Sequence, residues 1–491
     1  MPLKLAENVH NNLQTLSYLL GNPSDLKVET HGVKSGVGLA YLTGLTDSKD
    51  IKSNLLQPLT KMFTDGTLTI NRLAQSLPET EVKYCPDFET IVEDVLQGRT
   101  ILFLADESQA LSFATQGWAK HELKEPQSER VIRGPREGFT ETITENIGIV
   151  RRYIKDSRLR VEMITIGRRS KTKVAVVYLA DITQPRLVRE VHSRLSAIDI
   201  DAVIDSGYIE QLIKDRRASI FPLTQNTERT DKAVAAIYEG RVTILVDQSP
   251  FAIIVPVTVN ELYQSTEDYY FDFWLGSFLR LLRLISNNLA VALPGLYVAL
   301  VAVNPELLPI ELALSIAGAR ARIPFPLVVE VLLMELTVEI FREAGLRLPG
   351  TIGVTYGVVA GVVLGLVAVQ SGLVSPVTMV VVAVTAVASF TGPNFAVGIT
   401  WRILKYLLLI AAAIFGLFGL SVAGTAILLH AADIKSFGVS YLAPWSPLQW
   451  PELADGPIRA PLWSRWLRPK TYRPQDSLRS GGTKKEDQTD E

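Results

Sequence analysis

Three glutamates, Glu330, Glu335 and Glu339, stand in the apolar run 326–341. Carboxylates at membrane depth are costly unless they face a wet cavity or a basic partner. At about 100° per residue Glu335 lies about 140° and Glu339 about 180° from Glu330, so the three do not form one stripe. Two readings stand: a cation vestibule, or an interfacial helix resting on one face of a bilayer. A second chemical cluster is the connector 125–172, where Arg130, Arg133, Arg136, Arg151, Arg152, Arg158, Arg160, Arg168 and Arg169 interleave with Glu137, Glu141 and Glu145. Guanidinium forks suit phosphate, which reads as an anion or lipid-headgroup motif. The interspersed glutamates favour an ion-paired interface between subdomains or subunits. Gly134-Pro135 and Gly138 demand turns, and the stretch after them reads as a capped helix.

The third feature is a span over 352–370 in which Gly353, Gly357, Gly361 and Gly365 recur every four residues. Such a ridge rotates only about 40° per step and lets helices approach closely. It also suits the lining of a narrow pore, which one copy cannot enclose, so that reading requires a homo-oligomer. Nothing predicts catalysis. The histidines His10, His31, His121, His192 and His430 are scattered, with no pair at metal-ligand spacing. Walker A, GxGxxG after a strand and GxSxG are missing. Asp199, Asp201 and Asp205 lack the spaced ligands of a calcium loop and read as caps and turns. No enzyme, cofactor or metal is expected, and Cys85 as single cysteine excludes an internal disulfide.

The elements that must position these residues follow from how charge is spread. Of the charged residues 71 fall in 1–283, 12 in 284–430 and 17 in 431–491. Between Arg347 and Arg402 lie 54 residues without a charge, and between Lys405 and His430 another 24. A helix crosses hydrocarbon in about 20 residues, so these runs predict three spans. Four are expected, over 284–303, 352–370, 374–391 and 406–429, with 307–341 interfacial or re-entrant. Arg280 and Arg283 before the first span, and Arg459, Arg465, Arg468, Lys470 and Arg473 after the last, put both termini in the cytoplasm. Arg402 and Lys405 then fall on the outer side, against the same rule. The N-terminus shows no signal-peptide apolar region. A formal net charge of -2 gives no footprint for nucleic acid.

The soluble part reads as α/β: two similar mixed-sheet subdomains followed by an all-α multi-span membrane domain. Strand 37–47, helix 88–99, strand TILFLAD and return strand 109–115 recur as strand 174–182, helix 231–241, strand VTILVD and return strand 251–258. The expected division is an N-terminal arm (1–32), subdomain 1 (33–124), the connector (125–172), subdomain 2 (173–270), the transmembrane domain (271–430) and a basic Pro/Trp-containing tail (431–491), disordered by composition at its end.

RGPREGFTE at 133–141, QNTERTDKAVAAIYEGRVTILVD at 225–247 and NPELLP at 304–309 together resemble the A-subunit family of spore germinant receptors, the GerA type, over roughly 30–470. The resemblance implies a multi-pass protein of the spore inner membrane. Its implied partners are a permease-like B subunit and a lipoprotein C subunit, with membrane lipid around it. Nutrient binding, placed mainly on the B subunit, would lead to ion release and germination, with A subunits oligomerising into the conducting part. In that setting the 352–370 helices would surround a closed apolar constriction, with Val358 and Val362 as its gate. Glu330, Glu335 and Glu339 would concentrate cations near the mouth. A non-conducting scaffold is the alternative. A solute transporter predicts inverted repeats, and no second copy of the glycine span is seen.

Overall fold

The computed structural model describes residues 3–31, 36–57, 59, 70, 81–117, 125–349, 357, 361 and 365–479. Two five-stranded sheets share one plan. The first holds β1 (Leu26–His31), β2 (Val37–Leu42), β3 (Val82–Cys85), β4 (Thr100–Leu104) and β5 (Ala110–Phe113) in the order β1-β2-β4-β5-β3. The second holds β6 (Leu159–Ile166), β7 (Thr172–Leu179), β8 (Gln225–Thr227), β9 (Val242–Val246) and β10 (Ala252–Val255) in the order β6-β7-β9-β10-β8. Helices cover both faces, so the central strands β2, β4 and β9 are buried along their whole length. On the first sheet, α1 (Val9–Leu19) and α2 (Phe88–Leu96) pack Leu13, Leu16, Ile91 and Val95 against Ala40 and Phe103. On the second, α3 (Ile143–Tyr153) lies on one face; α4 (Pro185–Ser196) and α5 (Ser206–Ile213) cover the other, and α6 (Thr230–Tyr238) joins α3.

Two expectations change here. The sheets are not mixed, because every ladder in them is antiparallel. The strands β3 and β4 do run the same way and are joined through α2, but the return strand β5 slots between them, as β10 does between β8 and β9. A parallel crossover is thereby split and no parallel neighbours remain. The unit boundaries also move outward. β1 comes from the segment read as an arm, and α3 with β6 from the segment read as a connector. Both strands are sheet edges with charged, half-exposed sequences, which hydropathy does not mark.

The helical half starts with α7 (Phe273–Val298), continued by a wider turn over Ala299–Val303. Next come α8 (Ile310–Arg320), α9 (Leu327–Arg347), α10 (Pro376–Ala388) and α11 (Phe395–Asp433). Among the described residues two stretches, Phe273–Val303 and Phe395–Asp433, are by length and composition long and apolar enough to cross a membrane. α10, at 13 residues, is about 20 Å long against a hydrocarbon core of about 30 Å.

α11 is not one rod. Gly416 sits at φ 61, ψ -141, a conformation nearly reserved for glycine. The Phe221 ring lies 6.4 Å from Trp401 and 6.0 Å from His430. In a straight helix those two positions stand about 43 Å apart. The segment is a hairpin with legs 395–415 and 417–433, both returning to the soluble domain. Asn304, at the far end of the α7 stretch, caps the second leg: its Oδ1 accepts from the Leu417 N–H at 3.1 Å. The expected single crossing over 406–429 is therefore corrected, since the turn falls in its middle. Arg402 and Lys405 follow Thr400, whose hydroxyl donates to the Ile220 carbonyl of the soluble domain at 2.9 Å, so they lie near that end. The conflict with the charge rule disappears. The segment 307–341 resolves into α8 and α9, separated at Pro324 and Pro326.

A Cβ on Gly416 would sit 2.1 Å from Asn304 Oδ1. Gly416→Ala is therefore expected to cost on the order of 2 kcal/mol or more, read as a lowered unfolding midpoint of the purified protein in detergent. The buried Cys85 thiol, 3.4 Å from Asp94 Oδ2, is pushed up to about 12 by burial and by that carboxylate. An ordinary thiol near 8.5 is partly ionised at pH 8; this one stays protonated. A thiol-titrating reagent at pH 8 should find no reactive cysteine in the folded chain and one after denaturation.

Candidate functional site

The arginine-rich connector is a strap laid across the second subdomain. Its Phe139 enters the core beside α3, and the Phe139 N–H donates to the Glu228 carbonyl at 2.8 Å. Arg229, which the sequence reading passed over, organises it: the guanidinium donates to the Pro135 carbonyl at 3.1 Å and the Glu129 carbonyl at 3.3 Å, and grips Asp231. Glu137 accepts from Arg152. Arg136 is exposed and reaches Glu125 at 3.2 Å. Arg133 is exposed, and its backbone N–H donates to Glu267 at 3.1 Å. The Glu141 carbonyl accepts from the Gln248 N–H at 2.7 Å.

Arg151 does something different from its neighbours. It is 1% exposed and forks onto both oxygens of Asp25, in the turn before β1, with NH2 to Oδ1 at 2.7 Å. One guanidinium thus ties the α3 helix of the second unit to the first sheet. Beside it the two units touch backbone to backbone, because a Cβ on Gly148 would meet the Gly44 carbonyl at 2.1 Å. A fully buried bidentate pair has no room for an incoming phosphate.

Glu330, Glu335 and Glu339 of α9 each meet a cation. Glu330 accepts from the Ser375 N–H at 2.6 Å and from Arg320 at 3.3 Å. Glu335 takes Lys405 at 2.5 Å and the Thr385 hydroxyl at 3.0 Å. Glu339 takes Arg402, with Arg342 3.7 Å away. The angular spread computed from sequence has its explanation here. Glu330 faces α8 and the start of α10, whereas Glu335 and Glu339 face α11. On the latter pair, carboxylates four apart oppose cations three apart on an antiparallel helix, so both rungs close at once. Arg342 continues the line by donating to Ser389 Oγ at 2.5 Å and lying 4.5 Å from the Phe390 ring centre. The signal for the partners was present in the sequence as Arg402 and Lys405, two cations in an otherwise apolar stretch. It lacked only the fold-back that brings them to α9.

Of the glycine ridge, Gly353 and the neighbouring Val358 and Val362 lie outside the described residues. A Cβ placed on Gly357 or Gly361 would meet no described atom within 4 Å, while one on Gly365 would meet Met379 of α10 at 2.9 Å. Glycine at 365 is a packing contact; at 357 and 361 the described chain leaves the face open. Among the described residues no group of three or more His, Cys, Asp or Glu is arranged to hold a metal.

Comparison with known proteins gives sequence matches over most of the chain. The family described as Bacillus/Clostridium GerA spore germination protein matches residues 14–471. Spore germination protein B1 of Bacillus subtilis (strain 168) is 38% identical over 481 residues, covering 97% of this chain and all of that protein. Spore germination protein GerLA of Bacillus cereus is 37% identical over 480 residues, covering 97% and 98%. The crystal structure of the N-terminal domain of the A subunit of the Bacillus megaterium spore germinant receptor GerK3 is 30% identical and covers 52% of this chain and 96% of that one, with a TM-score of 0.41. With a family match spanning nearly its whole length and relatives this similar end to end, the chain belongs to the GerA family of spore germination proteins.

Proposed function

We propose that this chain is the A subunit of a nutrient germinant receptor in the spore inner membrane, beside a permease-like B subunit and a lipoprotein C subunit. In this reading several copies assemble around the 352–370 segment and pass ions when the receptor is occupied. The observation that carries it is the open face at Gly357 and Gly361. Small residues that meet no described atom of their own chain are suited to contact with other copies. Topology supports a membrane-embedded arrangement with both termini in the cytoplasm. The tail returns to the soluble domain, where Gln475 donates to the Ala180 and Thr183 carbonyls at 3.0 and 2.7 Å, so the chain leaves and re-enters at one end.

The alternative of a non-conducting scaffold draws on the charge ladder. With Glu330, Glu335 and Glu339 already compensated by Arg320, Lys405 and Arg402, a cation vestibule built from them requires those pairs to open. Conductance separates the two readings. For the purified chain in liposomes, Val362→Ala is expected to raise ion flux above wild type and Gly361→Leu to abolish it. No flux in any of the three, with insertion verified, favours the scaffold.

The ladder also makes a prediction about folding that is independent of conduction. Lys405→Met leaves the Glu335 carboxylate buried without its cation and should cost about 3–5 kcal/mol. Adding Glu335→Leu should recover most of that loss, because an apolar pair of similar volume replaces the ion pair. Unfolding midpoints of the single and double variants in detergent decide it.

A further inference from the structure

Between the second sheet unit and the tail lies a cavity of about 720 Å³, within the size range of small-molecule sites. One wall is the stretch that leads from β10 to α7, with Asn260, Glu261 and Gln264; the other is the tail, with Trp450, Trp466 and Tyr472. Most charges on this lining are already engaged. Glu239 accepts from Arg479 at 2.9 Å and lies 3.5 Å from Arg465. Asp455 meets Arg465 at 2.9 Å, Arg280 at 3.2 Å and the Tyr269 hydroxyl at 2.9 Å. Glu452 accepts from the backbone N–H and hydroxyl of Thr471. Arg468 is bound to Asp476 and to three carbonyls.

Two lining charges, Lys470 and Glu261, make no side-chain hydrogen bond among the described residues. Lys470 is exposed to water, which screens it. Glu261 is sheltered, with a side chain 18% exposed, and its cation Arg241 stands 3.6 Å away. The Arg241 Nη2 and Nε donate to Gln225 Oε1 at 2.8 Å and the Pro256 carbonyl at 2.9 Å, and Nη1 faces Glu261 beyond hydrogen-bond distance. Burial, with the neighbouring Glu239 carboxylate, holds the Glu261 carboxyl above its ordinary range although Arg241 opposes this. Aromatic faces lining the same cavity as a carboxylate that accepts no hydrogen bond among the described residues make a receptor for organic ammonium.

We propose that this cavity binds a small organic cation, with its ammonium group on Glu261 and its apolar body against Trp450 and Trp466. The same wall carries Asp455, which clasps the buried Arg280 of α7, so an occupant touches the joint between tail and membrane helix.

The test uses the full chain in nanodiscs at pH 7 and isothermal titration with three probes of one shape: phenethylammonium, 2-phenylethanol and phenylacetate. Phenethylammonium is expected to bind at least tenfold more tightly than either other probe. Glu261→Gln should remove that preference while leaving the weak binding of 2-phenylethanol. Trp450→Ala, at a rim position 74% exposed and outside the core, should weaken all three. The proposal is overturned by equal affinity for the three probes, by an unchanged preference in Glu261→Gln, by unchanged binding in Trp450→Ala, or by no saturable binding of phenethylammonium up to about 10 mM, where affinity falls below about 3 kcal/mol.

Discussion

An isolated ion in an apolar bundle costs several kcal/mol even after relaxation, more than a single packing contact returns. α9 carries three carboxylates in its apolar part, Glu330, Glu335 and Glu339, and the arrangement of the helical half follows from satisfying them. The Glu335–Lys405 and Glu339–Arg402 rungs hold the first leg of α11 antiparallel to α9 and fix its register. With that leg fixed and both its start and the end of the second leg seated on Phe221, the chain has to reverse between them. The reversal falls where glycine permits it, at Gly416, and where Asn304 supplies a cap for the restarted helix. Non-helical backbone in an apolar setting survives only when its polar groups are met from within the protein.

The same device recurs at the other joints. Arg151 links the two sheets through Asp25; Arg229 pins the connector strap; Arg280 reaches Asp268, Asp455 and the Gly456 carbonyl, uniting α7, the segment before it and the tail. A guanidinium has five donors in a rigid plane, so one buried arginine can join three separate segments where a lysine would join fewer. Each pair breaks badly if one partner is lost, since the other is left charged and dry. Sheets, strap, tail and the first turns of α7 are therefore joined to one another through buried arginines.

How much of this is legible in the sequence depends on whether the signal is local. The core strands 100–104 and 242–246, their preceding helices and the stopping glycines Gly98 and Gly240 are readable, because continuous apolar runs bounded by left-handed glycines are local features. The edge strands β1, β3, β6 and β8 are not, being short or charged. Strand direction was misjudged for a nonlocal reason: nothing near α2 or α6 announces that the next hairpin will return between the two strands the helix connects. Of the candidate residues, the glutamates were recognisable as anomalies and their partners were visible as anomalies of opposite sign. What no local pattern supplies is the pairing, since Glu335 and Lys405 are 70 positions apart. The reversal at Gly416 was hidden for a related reason. A glycine among other small residues in GLFGLSVAG looks like a packing face, and only the far-off Asn304 marks it as a turn.

The fold-back decides where the cations of the helical half lie. Arg280 and Arg283 bind Asp268 beside the soluble domain. Arg342 meets Ser389 near the end of α10, and Arg402 follows the leg that begins against Ile220. Arg320 instead pairs with Glu330 at the start of α9, near the end of α7 where Val298 meets Leu327 and Leu409. Most cations of the helical half thus gather toward the soluble domain. A span drawn straight through 406–429 would have split this set across the membrane. Folding it at Gly416 reunites the charges toward one end, where the same cations lock α9 to α11.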